Sequence, residues 1–224
     1  MKILKTNPKF PTLQKLSHKL KEKSTQVNLF SAQDREKLFD KHFPDALNVL
    51  DFWEIFDNAK VIDMGTGGGV PGLVLAAVCP ELDFWLLDST KKKLDLLDEA
   101  IEELNLENVK TIWGRIEELA HGSDREKFDI ALARALAPLP TLIEYASGFL
   151  KVGGKFYAWK SSDFKDELEM SKPAQKELGM AFVDQFDYEL DGGEKRTILE
   201  FKKVRALNDK YPRRVGVPKD KPIL

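Results

Sequence analysis

The stretch Val61-Ile62-Asp63-Met64-Gly65-Thr66-Gly67-Gly68-Gly69-Val70-Pro71-Gly72 sets five glycines behind a short apolar run. Glycines at such a place let a backbone turn sharply and come close to a ligand. Asp88 follows Gly65 by 23 residues. A carboxylate that far downstream, at the tip of the next strand, is placed to accept hydrogen bonds from ribose hydroxyls. Dinucleotides and S-adenosylmethionine are both held this way. The dinucleotide pattern G-x-G-x-x-G fails here, because its sixth position is Val70. Asp63, two residues before Gly65, suits the amino and sulfonium end of a cationic ligand and would sit badly beside a pyrophosphate. The reading is therefore S-adenosylmethionine. A glycine-rich turn with no ligand is the bland alternative, and the agreement of loop, helix and distal acid weighs against it.

Transfer of a methyl group from a sulfonium is an in-line displacement, which asks for positioning and charge management. Arg134, at the tip of a strand, faces the crevice where ligands bind in sheets of this kind. Its guanidinium can fork onto guanine O6, a phosphate or the cofactor carboxylate. The slot Ala133-Arg134-Ala135-Leu136-Ala137-Pro138 lacks the Asn/Asp-Pro-Pro-aromatic string of enzymes that methylate exocyclic amines. Cys79, the single cysteine, lies at a helix end beside Pro80 and reads as packing, which leaves no nucleophile for pyrimidine C5 chemistry. One cysteine excludes a disulfide framework and a cysteine-rich zinc site, and with three scattered histidines it argues against a His/Cys metal centre, so no metal is expected. Lys91, Lys92 and Lys93 read as the wet side of a helix, with phosphate contact as the alternative. Trp53, Trp85 and Trp113 read as core or partner packing.

These residues need a scaffold, and the texture of the chain predicts one. From residue 59 onward, strands and helices alternate. Expected strands are Ala59–Met64, Asp83–Leu87, Val109–Trp113, Phe128–Ala133 and Lys155–Trp159. Expected helices are Pro71–Val78, Ser89–Asn105, a turn at Glu117–Ala120, Thr141–Leu150 stopped by Gly153-Gly154, and Lys165–Leu178 across Pro173. Ala181–Leu190 and Arg196–Val204 flank Asp191-Gly192-Gly193 as an antiparallel hairpin. Upstream, Leu13, Leu16 and Leu20 recur at helical spacing after Pro11. Residues 31–57 read as two helices, capped by Ser31 and opened by Pro44. The fold class is α/β: a doubly wound, Rossmann-like, mostly parallel seven-stranded sheet of the class I methyltransferase type, with a C-terminal antiparallel hairpin and an N-terminal helical extension. The expected domains are a basic helical extension over 1–57, the methyltransferase domain over 58–204 and a basic tail over 205–224.

Composition narrows the function classes. At 224 residues and 42% hydrophobic, the chain can bury a real core. No apolar run reaches the roughly 18 residues of a membrane-spanning helix, and Met1-Lys2-Ile3-Leu4-Lys5 lacks the features of a secretory signal. A cytoplasmic protein is expected. The formal net charge of −2 hides an uneven distribution. Residues 1–23 hold seven lysines against one acid, and residues 202–224 hold eight basic residues against two acids. Basic ends on an acidic body are a possible footprint for a polyanion, or simply solvated lysines.

At these residues the sequence resembles the bacterial small-subunit ribosomal RNA guanine-N7 methyltransferases, historically called glucose-inhibited division protein B. The match comprises Asp63 through Gly72, Leu86-Leu87-Asp88-Ser89, Leu106 through Val109, Arg115 through Glu118, Phe128-Asp129, Ala133-Arg134-Ala135 and Phe156 through Lys160. Val27-Asn28-Leu29, His42 through Leu47 and the tail Tyr211 through Pro218 are similar as well. The resemblance implies methyl transfer from S-adenosylmethionine to N7 of a guanine in 16S ribosomal RNA, with the rRNA or small subunit as partner and a monomeric enzyme. It implies Asp63, Gly65, Gly67, Gly69, Val70, Asp88, Ile116, Glu117 and Arg134 as cofactor-binding residues, Ile116 and Glu117 flanking the adenine. It implies Arg134 and Lys160 as catalytic residues, and His42 and Asp45 as cofactor neighbours. The alternatives are a methyltransferase for another RNA or a small molecule, and a non-catalytic RNA-binding or ribosome-assembly protein.

Overall fold

The computed structural model describes residues 7–53 and 57–224. The N-terminal pentapeptide considered above and the end of the second expected prelude helix, at residues 54–56, lie outside the described residues. Five parallel strands form first: β1 (Lys60–Met64), β2 (Asp83–Asp88), β3 (Val109–Trp113), β4 (Phe128–Arg134) and β5 (Leu150–Ser161). β6 (Met180–Leu190) and β7 (Glu194–Lys203) follow as a hairpin. The order across the sheet is β3-β2-β1-β4-β5-β7-β6, with β7 antiparallel to both neighbours. The chain leaves β1 for β2 on one side and later returns to β4 on the other. That reversal opens a crevice at the carboxyl ends of β1 and β4.

Side chains alternate across the sheet as a two-residue period demands. Val61, Ile130 and Leu132 enter one core, and Ile62, Met64, Ala131 and Ala133 enter the other. Between α1 (Phe10–Lys23) and α3 (Phe43–Leu47) runs the short helix α2 (Ala32–Glu36), which buries no residue; α1 and α3, with α4 (Gly72–Ala76) and α5 (Lys91–Glu103), close the first core. The second is closed by α6 (Ile116–Leu119), α7 (Leu139–Phe149), α8 (Lys165–Met170) and α9 (Lys172–Leu178), with Leu207 and Tyr211 of the tail. A last short helix, α10, spans Val217–Asp220.

Leu13, Leu16 and Leu20 are wholly buried, so α1 is a packed helix rather than a loose arm. Its charge is spent locally. Lys23 is 7% exposed and reaches Glu103 of α5 at 3.0 Å and Glu99 of the same helix; Lys19 lies 2.5 Å from Glu103. The tail is tied down in the same way. Arg213 forks onto buried Glu144 at 3.0 and 2.7 Å, and Lys203, with no exposed surface, donates to the Ser147 and Leu150 carbonyls and to Glu126. Several of the cations that make the ends basic therefore hold the fold.

Four expectations need correction. The residues around Gly153-Gly154 do not stop a helix: α7 ends at Phe149, Leu150 is already extended, and both glycines lie inside β5. Pro173 divides the helix expected over Lys165–Leu178 into α8 and α9, because a proline has no N–H for the preceding turn and sits best in a first turn. Residues 31–53 form not two continuous helices but α2, a π-helical turn over Leu38–His42, α3, and a 3-10 turn over Asn48–Asp51. Ser31 does cap α2, its Oγ accepting from Asp34 N at 3.1 Å, and Pro44 does lie in the first turn of α3. Trp113 is no core residue. It is 61% exposed, pinned at the end of β3 by donating to the Ser89 carbonyl at 3.1 Å.

Candidate functional site

The crevice at the switch point is a cleft of about 440 Å³, a size common for small-molecule sites. Its first wall is the glycine loop. Gly65, Gly67 and Val70 line it with Thr66 and Gly68. Gly65 and Gly67 take φ of +68° and +56°, which only glycine adopts freely. A Cβ at Gly65 would also stand 2.5 Å from Leu136 across the cleft. Asp88 forms the second wall. Its Oδ2 accepts from Gly67 N at 2.9 Å and its Oδ1 from Thr90 N at 2.8 Å. Each carboxylate oxygen retains a lone pair, so ribose hydroxyls can still be accepted.

Asp63 and Gly69 sit behind the wall rather than on it. Asp63 is 1% exposed, and its Oδ2 accepts from Thr66 Oγ1 at 2.6 Å and from Gly72 N at 3.0 Å. It ties both ends of the loop to β1. Burial pushes its carboxyl up to about 6, against the pull of those two donors and of Arg134. Gly69, with φ of +84°, packs beneath the loop against Leu73 and Leu97.

Ile116 and Glu117 line the far end with Gly114, Arg115 and Tyr145. Glu117 is buried, and its Oε1 accepts from Tyr145 Oη at 3.2 Å and from Gly216 N at 3.0 Å. Burial, with the Glu117 charge beside it, pushes the Tyr145 hydroxyl up to about 12. The tail also places Lys219 on the cleft rim.

Arg134 enters at the opposite end, followed by Ala135, Leu136 and Ala137. Ala135 has φ of +54°, which turns the chain abruptly off β4. The prelude fixes the guanidinium. Nη2 donates to His42 Nδ1 at 2.6 Å, Nη1 to the His42 carbonyl at 3.4 Å, and Nε lies 3.4 Å from Asp45 Oδ2. A guanidinium only donates, so His42 Nδ1 holds a lone pair and its proton sits on Nε2, which donates to Asp34 Oδ1 at 3.1 Å. Burial and the Arg134 charge lower the His42 pKa and keep it neutral. Tyr188 donates to Asp45 from the hairpin. Two guanidinium N–H groups of Arg134 remain for a ligand.

Lys160 lies beyond this wall. Its Nζ donates to the Ala137 carbonyl at 3.3 Å and stands 2.7 Å from Glu167. Cys79 is buried, and burial pushes its thiol up to about 12, which leaves an inert packing residue. Among the described residues no His/Cys/Asp/Glu group could hold a metal ion.

Sequence reasoning missed Phe30, Tyr145, Leu136 and Lys219. Phe30 lies over the loop: a Cβ on Gly68 would come 2.2 Å from its ring, and it stacks on His42 with ring centroids 6.4 Å apart. The helical pattern of the prelude carries no sign of this. Gly68, a glycine whose φ is not left-handed, is the one clue that something presses on the loop.

A family model described as GidB, rRNA small subunit methyltransferase G, matches residues 9–188. Curated relatives named "Ribosomal RNA small subunit methyltransferase G" include one from Acetivibrio thermocellus, 41% identical across 91% of this chain and 84% of its own length. One from Syntrophomonas wolfei is 37% identical, covering 90% of this chain and 94% of the relative. Among solved structures, a SAM-dependent O-methyltransferase from Thermotoga maritima superposes with a TM-score of 0.56 at 17% identity, over 74% of this chain and 67% of that one. At that identity it speaks for the fold alone.

Proposed function

Because the chain belongs to the GidB family, rRNA small subunit methyltransferase G, we propose that its cleft directs an S-adenosylmethionine-dependent methyl transfer to N7 of a guanine in 16S rRNA. The protein is an S-adenosylmethionine-dependent rRNA methyltransferase. The finer statement, the target atom and the residues that serve it, is our reading. One observation supports it above the others: the glycine loop, a carboxylate with spare acceptors and an immobilised arginine meet in a single cleft.

The residues fit the cofactor. Asp88 would take the ribose hydroxyls, Ile116 and Glu117 the adenine end, and the loop residues Gly65, Gly67 and Val70 the chain between. Gly69 and Asp63 hold the loop in shape from below, and Asp63 adds negative charge under the cationic end of the ligand. The bound cofactor supplies a methyl group on a cationic sulfur, which the N7 lone pair displaces in line to leave a neutral thioether and a cationic purine. N7 has no proton to lose, so the protein needs no general base. Arg134 holds the cofactor carboxylate or guanine O6 through its two free N–H groups. Asp45 offsets its charge where positive charge develops on the base. Lys160, beyond the cleft wall and paired with Glu167, is taken as a contact for RNA phosphate or the base.

We take residues 1–57, 58–204 and 205–224 as extension, catalytic domain and tail of one monomeric, cytoplasmic enzyme. No helix among the described residues is long and apolar enough to cross a membrane. The test uses small subunits from a strain lacking this gene, incubated with the protein and labelled S-adenosylmethionine. Nucleoside mapping should yield 7-methylguanosine in 16S rRNA, and a label on any other atom or RNA overturns the reading. Arg134→Ala should abolish transfer while the fold survives.

A further inference from the structure

A second pocket, of about 480 Å³, opens on the same edge of the sheet as the cofactor cleft. It lies where the end of β5 meets the hairpin: Ser161 pairs with Arg196, and Arg196 with Tyr188. Arg134 pairs with Trp159 on β5, so the pocket begins two strand spacings away, roughly 10 Å.

Lys165, Lys195 and Arg196 line it. Lys165 and Lys195 are exposed and make no ion pair among the described residues. Arg196 gives Nη2 to Glu194, but its Nε is buried with no hydrogen-bond partner. A buried N–H left unpaired calls for an acceptor. Asp187 accepts from Thr197 Oγ1 at 2.6 Å and from Gln185 Nε2 at 3.0 Å; it keeps its charge, so Asp187 and Glu189 face the three cations Lys165, Lys195 and Arg196. The pocket is also wired to the catalytic cleft. Tyr188, on its wall, donates to Asp45, which holds Arg134.

We infer that this pocket is a subsite for an RNA nucleotide flanking the target guanine, its phosphate received by Arg196, Lys195 and Lys165. The inference rests on the rRNA substrate proposed above. An occupant here would press on Tyr188 and so report to Arg134 that the RNA is seated.

The experiment measures binding of an unmodified 16S rRNA transcript, and of small subunits from the deletion strain, over a salt series. Wild type is compared with Lys195→Gln, Arg196→Gln, Arg196→Lys and the Lys195→Gln/Arg196→Gln pair, with S-adenosylmethionine affinity and thermal midpoint recorded for each. Each Gln change should weaken RNA binding several-fold and flatten the log–log salt slope by about 1. Arg196→Lys should keep the slope, and cofactor affinity should stay within twofold. Unchanged RNA affinity and slope in the double variant overturn the subsite. So does a parallel loss of cofactor affinity, or weakening seen only with assembled subunits, which would mean that a ribosomal protein fills the pocket. Wild-type protein that binds RNA with these effects but transfers no methyl group would instead overturn the proposed reaction and leave the subsite standing.

Discussion

Asp63→Asn separates the electrostatic cost of the loop anchor from its hydrogen bonds. Asp63 is 1% exposed, and burial pushes its carboxyl up to about 6 in the folded chain, against 3.8 for an ordinary aspartate. A carboxyl with a raised folded pKa binds its proton more tightly when folded. Stability from that source is whole below pH 3.8 and is lost as pH rises through 6. At 1.36 kcal/mol per pH unit, the loss is about 1 kcal/mol by pH 4.5 and about 3 kcal/mol by pH 7.5. Asparagine does not titrate, and its Oδ1 can still accept from Thr66 and Gly72. Its amide adds a buried donor, a cost that does not change with pH. The difference in unfolding free energy between variant and wild type should therefore move by about 2 kcal/mol in the variant's favour from pH 4.5 to 7.5. Urea unfolding at both pH values measures it, and all other titrating groups cancel between the two proteins. A difference that stays flat with pH, or moves the other way, refutes an ionised, desolvated Asp63. The same variant should bind S-adenosylmethionine more weakly at pH 7.5, where it lacks the negative charge.

Three further outcomes are expected. Asp88→Ala removes the acceptor for the ribose hydroxyls and the brace on Gly67. Cofactor affinity by calorimetry should fall at least tenfold, with the unfolding midpoint changed little, and an unchanged affinity refutes the ribose assignment. Gly68→Ala should destabilise the wild type because the added methyl meets the Phe30 ring, yet cost little in a Phe30→Ala background. A double-mutant cycle should show coupling of about 1–3 kcal/mol. Leu16→Ala, at a wholly buried site, should cost about 2–5 kcal/mol in denaturant unfolding, whereas a free arm would show nothing.

What could be read from the sequence were features written over short distances. β1, its glycine loop and Asp88 lie close along the chain, and the two-residue and 3.6-residue periods marked the strands, α1 and α5. Pro173 was misjudged because a helical apolar pattern on both sides of a proline does not say whether one helix bends or two meet. Gly153-Gly154 has the composition of a helix stop, but β5 starts early enough to absorb it. The rest of the cleft was hidden because it depends on residues brought in from afar. Phe30, Tyr145 and Lys219 carry no local signature of a site. His42 and Asp45 become intelligible only once Arg134 is seen lying between them. The charge pattern misled in part: Lys19, Lys23, Lys203 and Arg213 looked like surface for a polyanion and are tethers instead.

The cleft draws on Phe30 at one extreme of the chain and on Gly216 and Lys219 at the other. While the polypeptide is being synthesised, β1 to β5 can pair long before the residue that braces Glu117 exists. A nascent chain therefore has most of its sheet and only an open half-site. The grip on the ligand is completed last, by a contact that closes a loop of 99 residues between Glu117 and Gly216. A tag or truncation that disturbs the peptide around Gly216 would leave a well-folded body with a slack adenine end.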